Sequence, residues 1–339
     1  MHLVHPCQLK ASDQRALKLE MRERFFQHIL EGQRRTRSKD EARSNTHDNL
    51  LGFGLGEKLT GNRRTGEMAV VFFVQQKVPR ANLQTRLTLP KDVNGITTDV
   101  VEIGGPFRAL GNGAALDPTV QQPRPVPAGV AIGNAKTTGS LGYPVTRPDI
   151  TSEMILSNYH VLADLTSPAS TPDIYQPGNA SGAPAADAKI GTFRAGVPID
   201  FTPGAVNYMD AAVATVSAGM CRASMRDIGP ITGAQDPSGG ETVTIYGEAT
   251  GYAVGTIRYQ LTSLSISYEP GDAWFEDQLV VCRDPNSPFI ATTGDSGSLV
   301  IKSPFVACGL LIAAFGTDYA IATPIERILR RFRMALVVP

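Results

Sequence analysis

Short apolar runs separated by turn residues make up most of the chain after residue 128. The runs are GVAIG, SLGYPV, EMILSNYHVLA, DAAVATV, ETVTIYG, GTIRYQL, DQLVVC, SLVIK, GLLIAAFG and YAIATPI. Strands of four to eight residues between clusters of turn residues are typical of β-barrels and sandwiches, whereas alternating strands and helices would give longer periodic segments. The pattern therefore predicts an all-β body.

Two segments have a helical period instead. Residues 12–31 predict an amphipathic helix that Ser12 could cap and Gly32 could end. Its apolar face would hold Leu17, Met21, Phe25 and Ile29. Near the other end of the sequence, an i, i+3, i+4, i+7 pattern predicts a short closing helix. That pattern consists of Ile325, Ile328, Leu329 and Phe332.

The region before the all-β body divides by composition. We expect the N-terminal helix and a polar linker over residues 1–48, and a β extension over residues 49–110. The stretch 106–128 looks like a loop, and its Pro-rich part QQPRPVPAG is typical of a boundary. The all-β body would follow in two parts, the first over 111–225 and the second, with the C-terminal helix, over 226–339.

Composition narrows the class of protein. The chain of 339 residues is 42% hydrophobic and 19% charged, with a formal net charge of +0. This is a globular composition, and the balanced charge argues against a nucleic-acid partner. No stretch has the length of a membrane span, and the first residues lack the apolar core of a secretory signal, so we expect a cytoplasmic protein without a membrane partner. Its four cysteines are then expected to be free thiols.

The first candidate for a catalytic residue is Ser296, which lies between glycines in the segment TTGDSGSLV at residues 292–300. Gly-Asp-Ser-Gly is also a good tight-turn composition, so taken alone it could be only a turn. Of five histidines, His160 alone lies in the β-rich body, where an apolar strand ends in Ser-Asn just before it. Asp210 directly precedes the apolar run of another strand, where it could orient an imidazole or merely cap a turn.

The order of these three residues is informative. His, Asp and Ser follow one another as in chymotrypsin-type enzymes, whereas subtilisins run Asp, His, Ser and α/β-hydrolases run Ser, Asp, His. The α/β-hydrolase motif G-x-S-x-G is also missing, because residue 298 is Ser. The three signals together predict a catalytic triad of His160, Asp210 and Ser296.

The segments ILSNYHVLAD, DAAVATV and GDSGSLV resemble the His, Asp and Ser motifs of trypsin-like (chymotrypsin-fold) serine proteases. Within that group the chain is similar to intracellular bacterial and HtrA-type proteases. Its layout is also similar to that of the plant NARROW LEAF trypsin-like family, in the segments GFGLGEKLTGNRRTGEMAVVFFVQQKVP and YGEATGYAVGTI. It departs from the secreted enzymes at Val161, where they have a disulfide cysteine, and at Ser298 and Leu299, where they carry Gly-Pro.

This resemblance implies two six-stranded antiparallel β-barrels, over 111–225 and 226–339, with the N-terminal helix and β extension before them. It also implies a serine endopeptidase that cleaves protein or peptide substrates through an acyl-enzyme, without a metal or organic cofactor. The backbone N–H groups of Gly294 and Ser296 would form the oxyanion hole. The substrate pocket would be uncharged and would accept a small or apolar residue. Its candidate residues are Ile290, Ala291, Ala313 and Phe315.

Several alternatives remain open from the sequence. The fold could serve as a pseudoprotease or peptide-binding scaffold without turnover, or the protease could be latent until a regulatory partner acts. Asp295 could pair with a new N-terminal amine after activation, although a structural pairing is favoured. The N-terminal extension could drive homo-oligomerisation.

Two further motifs are weak. Gly52, Gly54 and Gly56 superficially resemble a phosphate loop, but they lie in a strand-like context without the Lys-Ser/Thr ending of a P-loop. His2, His5 and Cys7 could bind a metal, but they lie at a terminus, where disorder is usual. We expect no nucleotide or metal site from either motif.

Overall fold

The computed structural model describes residues 11–35, 49–61, 63–82, 88–110, 123–178 and 187–339. The chain divides into two compact units. The N-terminal unit contains Met1–Phe107, Asp200–Val206 and Arg258–Gln278. The barrel unit contains Arg108–Ile199, Asn207–Ile257 and Leu279–Pro339.

Strands dominate the described residues. Before residue 111 they are β1 Leu50–Thr60, β2 Arg63–Val74, β3 Asp92–Val93, β4 Ile96–Glu102 and β5 Phe107–Ala109. The next strands are β6 Val126–Ala128, β7 Ala131–Ile132, β8 Gly139–Ser140, β9 Tyr143–Arg147, β10 Ile150–Ser157, β11 Asp173–Tyr175, β12 Lys189–Gly196, β13 Ala212–Val216, β14 Cys221–Met225 and β15 Gly233–Ala234. The last are β16 Thr242–Gly247, β17 Gly251–Tyr268, β18 Gly271–Arg283, β19 Leu299–Lys302, β20 Val306–Phe315, β21 Tyr319–Pro324 and β22 Ala335–Leu336. The α-helices are α1 Ala11–Arg35, α2 Tyr159–Leu162 and α3 Ile325–Phe332.

In the N-terminal unit, β1 pairs antiparallel with β2 on one side and with β17 on the other. Alternate glycines allow the close approach to β17: a Cβ at Gly52 would lie 2.4 Å from the Ser263 carbonyl oxygen, and one at Gly56 would lie 2.3 Å from Tyr259 Cδ1. The GFGLG segment is therefore part of a sheet, in agreement with the strand-like context seen in the sequence.

Helix α1 packs its apolar face in the core of the N-terminal unit. Leu17, Met21 and Phe25 are buried there, as their spacing predicts. The other large side chains of this core include Phe26, Phe53, Phe72 and Trp274. The ends of the helix were predicted less well: it begins at Ala11 rather than after Ser12, and it continues through Gly32 to Arg35.

One six-stranded barrel of the barrel unit runs in the order β16-β19-β20-β21-β18-β17 and closes because β16 also pairs with β17. Its inward side chains form an apolar cluster that includes Val243, Ile245, Ile257, Val281 and Leu311. Strands β17 and β18 contribute one part of their length to this barrel and the rest to the N-terminal unit.

The other six-stranded sheet has the order β11-β12-β13-β10-β9-β22, with all its pairs antiparallel. Its last member, β22, comes from near the C-terminus and follows α3, whose Ile325, Ile328 and Phe332 are buried as predicted. The fold is thus all-β with two six-stranded antiparallel barrels, an N-terminal helix and β extension, and a C-terminal helix.

The region 106–128 was predicted as a loop, but it contains strands at both ends. Strand β6 lies at its far end, and β5 pairs antiparallel with β20 at Ala313↔Ala109 and Ala314↔Arg108. Three residues are too few to show the alternation of apolar and polar side chains that marks a strand in a sequence. Strand β5 is therefore recognised only by its pairing with β20.

The described cysteines, Cys221, Cys282 and Cys308, form no disulfide with one another. Cys7 lies outside the described residues, together with His2, His5 and His47.

Candidate active site

His160 and Asp210 are brought together by strand register. Strand β10 ends at Ser157, as the sequence predicted, and the short helix α2 that carries His160 begins at Tyr159. Strand β13 begins just after Asp210, and the antiparallel pairing places Ser157 opposite Ala212. The residues that flank the two paired strand ends, His160 and Asp210, therefore become neighbours in space.

The Asp210 carboxylate holds His160 at two points. Its Oδ2 is hydrogen-bonded to His160 Nδ1, and its Oδ1 accepts the backbone N–H of His160 at 3.2 Å. The Asn158 side-chain amide donates to the Asp210 backbone carbonyl at 2.7 Å and so fixes the loop. Because Asp210 is completely buried, the carboxylate can fix both the ring orientation and the tautomer of the imidazole.

Ser296 lies in a tight loop between β18 and β19. Two glycines with positive φ flank it, Gly294 at +109° and Gly297 at +93°. A Cβ at Gly297 would lie 2.1 Å from Ser157 Oγ, and one at Gly294 would lie 2.9 Å from Ala249 Cβ. Both the backbone angles and the lack of space therefore require glycine at these positions.

The Asp295 carboxylate accepts hydrogen bonds from three neighbouring residues. It accepts backbone N–H groups from Thr292 at 2.7 Å, from Ala249 at 2.9 Å and from Thr250 at 2.9 Å, and it also accepts the Thr250 hydroxyl. Burial raises the pKa of Asp295, while these hydrogen bonds oppose the shift. The contacts agree with the structural role favoured for Asp295 from the sequence.

Two serines that the sequence analysis did not single out connect this loop to the His160 side of the barrel unit. Ser140 donates its N–H to the Ser296 carbonyl at 2.7 Å and its hydroxyl to the Gly294 carbonyl at 3.0 Å. Ser157 donates its hydroxyl to the Ser140 carbonyl at 2.8 Å. Nothing in SLGYPV or MILSN distinguishes these hydroxyls from ordinary strand residues.

Gly139 shows how closely the two halves of the site meet. A Cβ there would lie 2.5 Å from Val161 Cγ2 and 2.7 Å from the Ser296 carbonyl oxygen. Ser296 and the residue that follows His160 therefore contact the same glycine. The structure thus places the predicted His160, Asp210 and Ser296 in one region of the barrel unit.

Ser296 Oγ forms hydrogen bonds with two backbone groups of the chain. It accepts the backbone N–H of Leu110 at 3.1 Å and donates to the Ile312 carbonyl at 3.4 Å. The N–H of Gly294, one of the predicted oxyanion-hole donors, donates to the Leu110 carbonyl at 2.7 Å. Ser296 is 0% exposed, and His160 is 3% exposed. Leu110 and Ile312 belong to none of the catalytic motifs recognised in the sequence.

The predicted pocket residues separate into two groups. Ile290 and Ala291 are buried in the same apolar cluster as Leu110 and Ala314. Ala313 is buried outside that cluster and pairs with Ala109, and Phe315 is half-buried on the same strand. Because side chains alternate along a strand, Ala313 and Phe315 point to the opposite face of β20 from Ala314.

Among the described residues, no group of three or more His, Cys, Asp or Glu side chains is arranged to hold a metal ion. None of the helices in the described part of the chain is long and apolar enough to cross a membrane.

No protein-family model matches the chain. No curated protein matches it either. Among solved structures it is similar to a protein described as a glutamic acid-specific serine protease, with a TM-score of 0.46, 18% identity and coverage of 62% of this chain and 100% of that one. It is also similar to protease A of Thermobifida fusca, with a TM-score of 0.45, 18% identity and coverage of 63% and 99%. For the chymotrypsin of Cellulomonas bogoriensis the TM-score is 0.44, the identity 19% and the coverage 63% and 99%. Each of these three proteins is described as a protease or a chymotrypsin.

Proposed function

We propose that the chain is a serine endopeptidase that cleaves protein or peptide substrates with Ser296 as nucleophile, His160 as general base and Asp210 as orienting carboxylate. The observation that carries the proposal is the fully buried carboxylate of Asp210 hydrogen-bonded to His160 Nδ1. A buried carboxylate on one imidazole nitrogen leaves the other nitrogen to act as the base for a nearby hydroxyl.

The chemistry follows from these positions. His160 Nε2 takes the proton of Ser296 Oγ as the oxygen attacks the scissile carbonyl. The N–H groups of Gly294 and Ser296 stabilise the oxyanion that forms. His160 then returns the proton to the leaving amine, and water releases the acyl group by the same steps in reverse. Asp210 stabilises the imidazolium in both halves of the reaction.

One observation favours a latent enzyme or a peptide-binding scaffold as the second candidate. Ser296 is 0% exposed, so a substrate reaches it only if the segment that contains Leu110 leaves or reacts. A scaffold would bind an extended peptide along β20 in the same way that β5 pairs there, and no turnover would follow.

The test is labelling with a fluorophosphonate probe of wild type, Ser296→Ala and His160→Ala. Labelling of wild type and loss of labelling in both variants is the expected result. Ser298→Ala is the matched control, because its hydroxyl makes no hydrogen bond to the described residues and its loss should leave labelling intact. Leu110→Asp should open the site to the probe. If folded wild type and folded Leu110→Asp both stay unlabelled, the peptide-binding scaffold is the candidate function that remains.

We also propose that the chain is related to HtrA-type and plant NARROW LEAF proteases, that it is cytoplasmic, and that its barrels span 111–225 and 226–339. We further propose that the N-terminal extension serves assembly or regulation, and that the chain has no nucleic-acid or membrane partner.

A further inference from the structure

The segment Arg108–Leu110 lies along β20 as a short antiparallel strand. The pairs are Arg108 with Ala314 and Ala109 with Ala313, so Leu110 comes next to Ile312. An extended peptide that adds to a sheet edge by main-chain pairing is a common mode of peptide recognition. The segment therefore occupies β20 in the manner of a bound peptide.

Leu110 is the residue of this segment that reaches the candidate nucleophile. Its N–H donates to Ser296 Oγ at 3.1 Å, and its carbonyl oxygen accepts the Gly294 N–H at 2.7 Å. A reacting carbonyl needs an oxyanion-hole donor on its oxygen and the nucleophile beside its carbon. The Leu110 carbonyl satisfies the first requirement, and Ser296 Oγ lies within hydrogen-bond distance of the same residue.

The Leu110 side chain provides an independent observation. It is 5% exposed and belongs to the apolar cluster that includes Ile290, Ala291 and Ala314. A surface segment that only crossed the site would not need to bury a leucine in the barrel. Side chain and carbonyl thus engage as those of the residue before a cleaved bond would, and the N–H keeps Ser296 Oγ next to the same residue.

The geometry points to self-cleavage: the chain is its own substrate, and Ser296 cuts the peptide bond that follows Leu110. This inference rests on the proposed function and extends it, because it also names an aliphatic residue of leucine size as the residue that the pocket accepts before the cleaved bond.

The reaction balances without any co-reactant except water. Ser296 Oγ gives up its proton to His160 and forms an ester with the Leu110 carbonyl carbon. The C–N bond to residue 111 breaks, and His160 protonates the leaving nitrogen. Water then hydrolyses the ester, which yields the Leu110 carboxylate, a new amino terminus at residue 111 and the free serine.

The experiment is intact-mass analysis of the denatured full chain, wild type and Ser296→Ala, with sequencing of any new amino terminus. We expect wild type to separate into residues 1–110 and 111–339, and Ser296→Ala to stay intact even when it is mixed with wild type. Cleavage of Ser296→Ala at the same bond would identify a foreign protease and overturn the inference.

A second pair of variants tests the leucine. Leu110→Asp would place a carboxylate in an apolar cluster, so self-cleavage should fall about 100-fold, whereas Leu110→Met should keep it within about 10-fold. Val338→Asp adds the same charge at an exposed apolar residue and should leave cleavage unchanged. If Leu110→Asp does not fold, the comparison of wild type with Ser296→Ala still decides whether the chain cleaves itself.

Fluorophosphonate labelling of the same samples separates this inference from the proposed function. Labelling of wild type or Leu110→Asp together with an intact wild-type chain would overturn self-cleavage and leave the endopeptidase. Absence of both labelling and cleavage in all folded samples would overturn the endopeptidase, and self-cleavage with it.

Discussion

Asp210 illustrates how much of the site depends on single residues held by their neighbours. Its side chain holds the His160 ring and backbone, and its own carbonyl is held by Asn158. The carboxylate is completely buried, so it has no water to replace these partners. A change that keeps its shape but removes its charge should therefore act on the chemistry rather than on the fold.

Asp210→Asn tests this point. We expect kcat for a peptide with leucine before the cleaved bond to fall about 10⁴-fold, because an amide favours the wrong tautomer of His160. Asp149→Asn, at an exposed ion pair with Arg147, is the matched control and should keep kcat. A variant Asp210→Asn that retains wild-type kcat would remove Asp210 from the mechanism.

Gly294→Ala tests the proposed role of the Gly294 N–H as an oxyanion donor. Alanine would have to adopt φ near +109° with its Cβ 2.9 Å from Ala249 Cβ, so the Gly294 N–H should turn away from the substrate carbonyl. We expect kcat to fall about 100- to 1000-fold. Gly219→Ala is the control, because Gly219 also has a positive φ, +72°, but has nothing within 4 Å of its Cβ position.

Both alanine variants should lose about 1–2 kcal/mol of unfolding free energy from backbone strain, which urea titration measures. Only Gly294→Ala should also lose catalytic activity. Equal activity losses in the two variants would mean that strain, rather than the Gly294 donor, limits the enzyme.

At the scale of elements, α1 is held in the N-terminal unit by charge as well as by its apolar face. Lys18 contacts Glu276 at 3.0 Å and also pairs with Asp277, and Arg22 contacts Glu276 at 3.2 Å. The Glu276 side chain is only 3% exposed, and both helix cations contact it. The same helix carries an exposed pair, Arg24 with Glu20, whose side chains are 51% and 29% exposed.

Lys18→Met should destabilise the N-terminal unit by about 3 kcal/mol, because it leaves a buried carboxylate with one partner fewer. Arg24→Met, on the same helix, should cost at most about 0.5 kcal/mol, since exposed ion pairs contribute little. Urea titration measures the loss of unfolding free energy in each variant. Hydrogen exchange of the α1 amides measures the effect on the N-terminal unit. Similar losses in the two variants would contradict the role of burial.

At the scale of the whole molecule, segments far apart in sequence complete each other's sheets. Strand β22 pairs with β9, and β17 and β18 each contribute to both compact units. The closed barrel buries Cys308 completely, in a cluster that draws on β16 through β21. The reactivity of that thiol therefore reports on the integrity of the whole barrel.

Burial raises the pKa of Cys308 to about 12 from an ordinary value of 9.0. The thiolate is the reactive form, so at pH 8 alkylation of Cys308 by iodoacetamide should be at least about 100-fold slower in the folded chain than in urea. Site-resolved mass spectrometry measures the two rates. Similar rates with and without urea would show that the barrel opens readily.

The sequence by itself determined many of the strands and the two longer helices. Apolar runs between turn residues marked the six strands of the closed barrel and β9, β10 and β13 of the other sheet, but not β11, β12 or β22. The helical spacing marked the buried faces of α1 and α3. It also nominated His160, Asp210 and Ser296, because their residue types and order match one kind of chemistry. These features depend on local preference and periodicity, which a short segment carries within itself.

Only the tertiary structure decided which segments meet. The register of β10 with β13 makes His160 and Asp210 neighbours, and the hydroxyls of Ser140 and Ser157 connect the Ser296 loop to that side. Leu110 lies in an unremarkable stretch, yet its backbone and side chain fill the site. The physical reason is that backbone hydrogen bonds and apolar contacts between distant segments carry no periodicity within either segment, so they exist only in the folded chain.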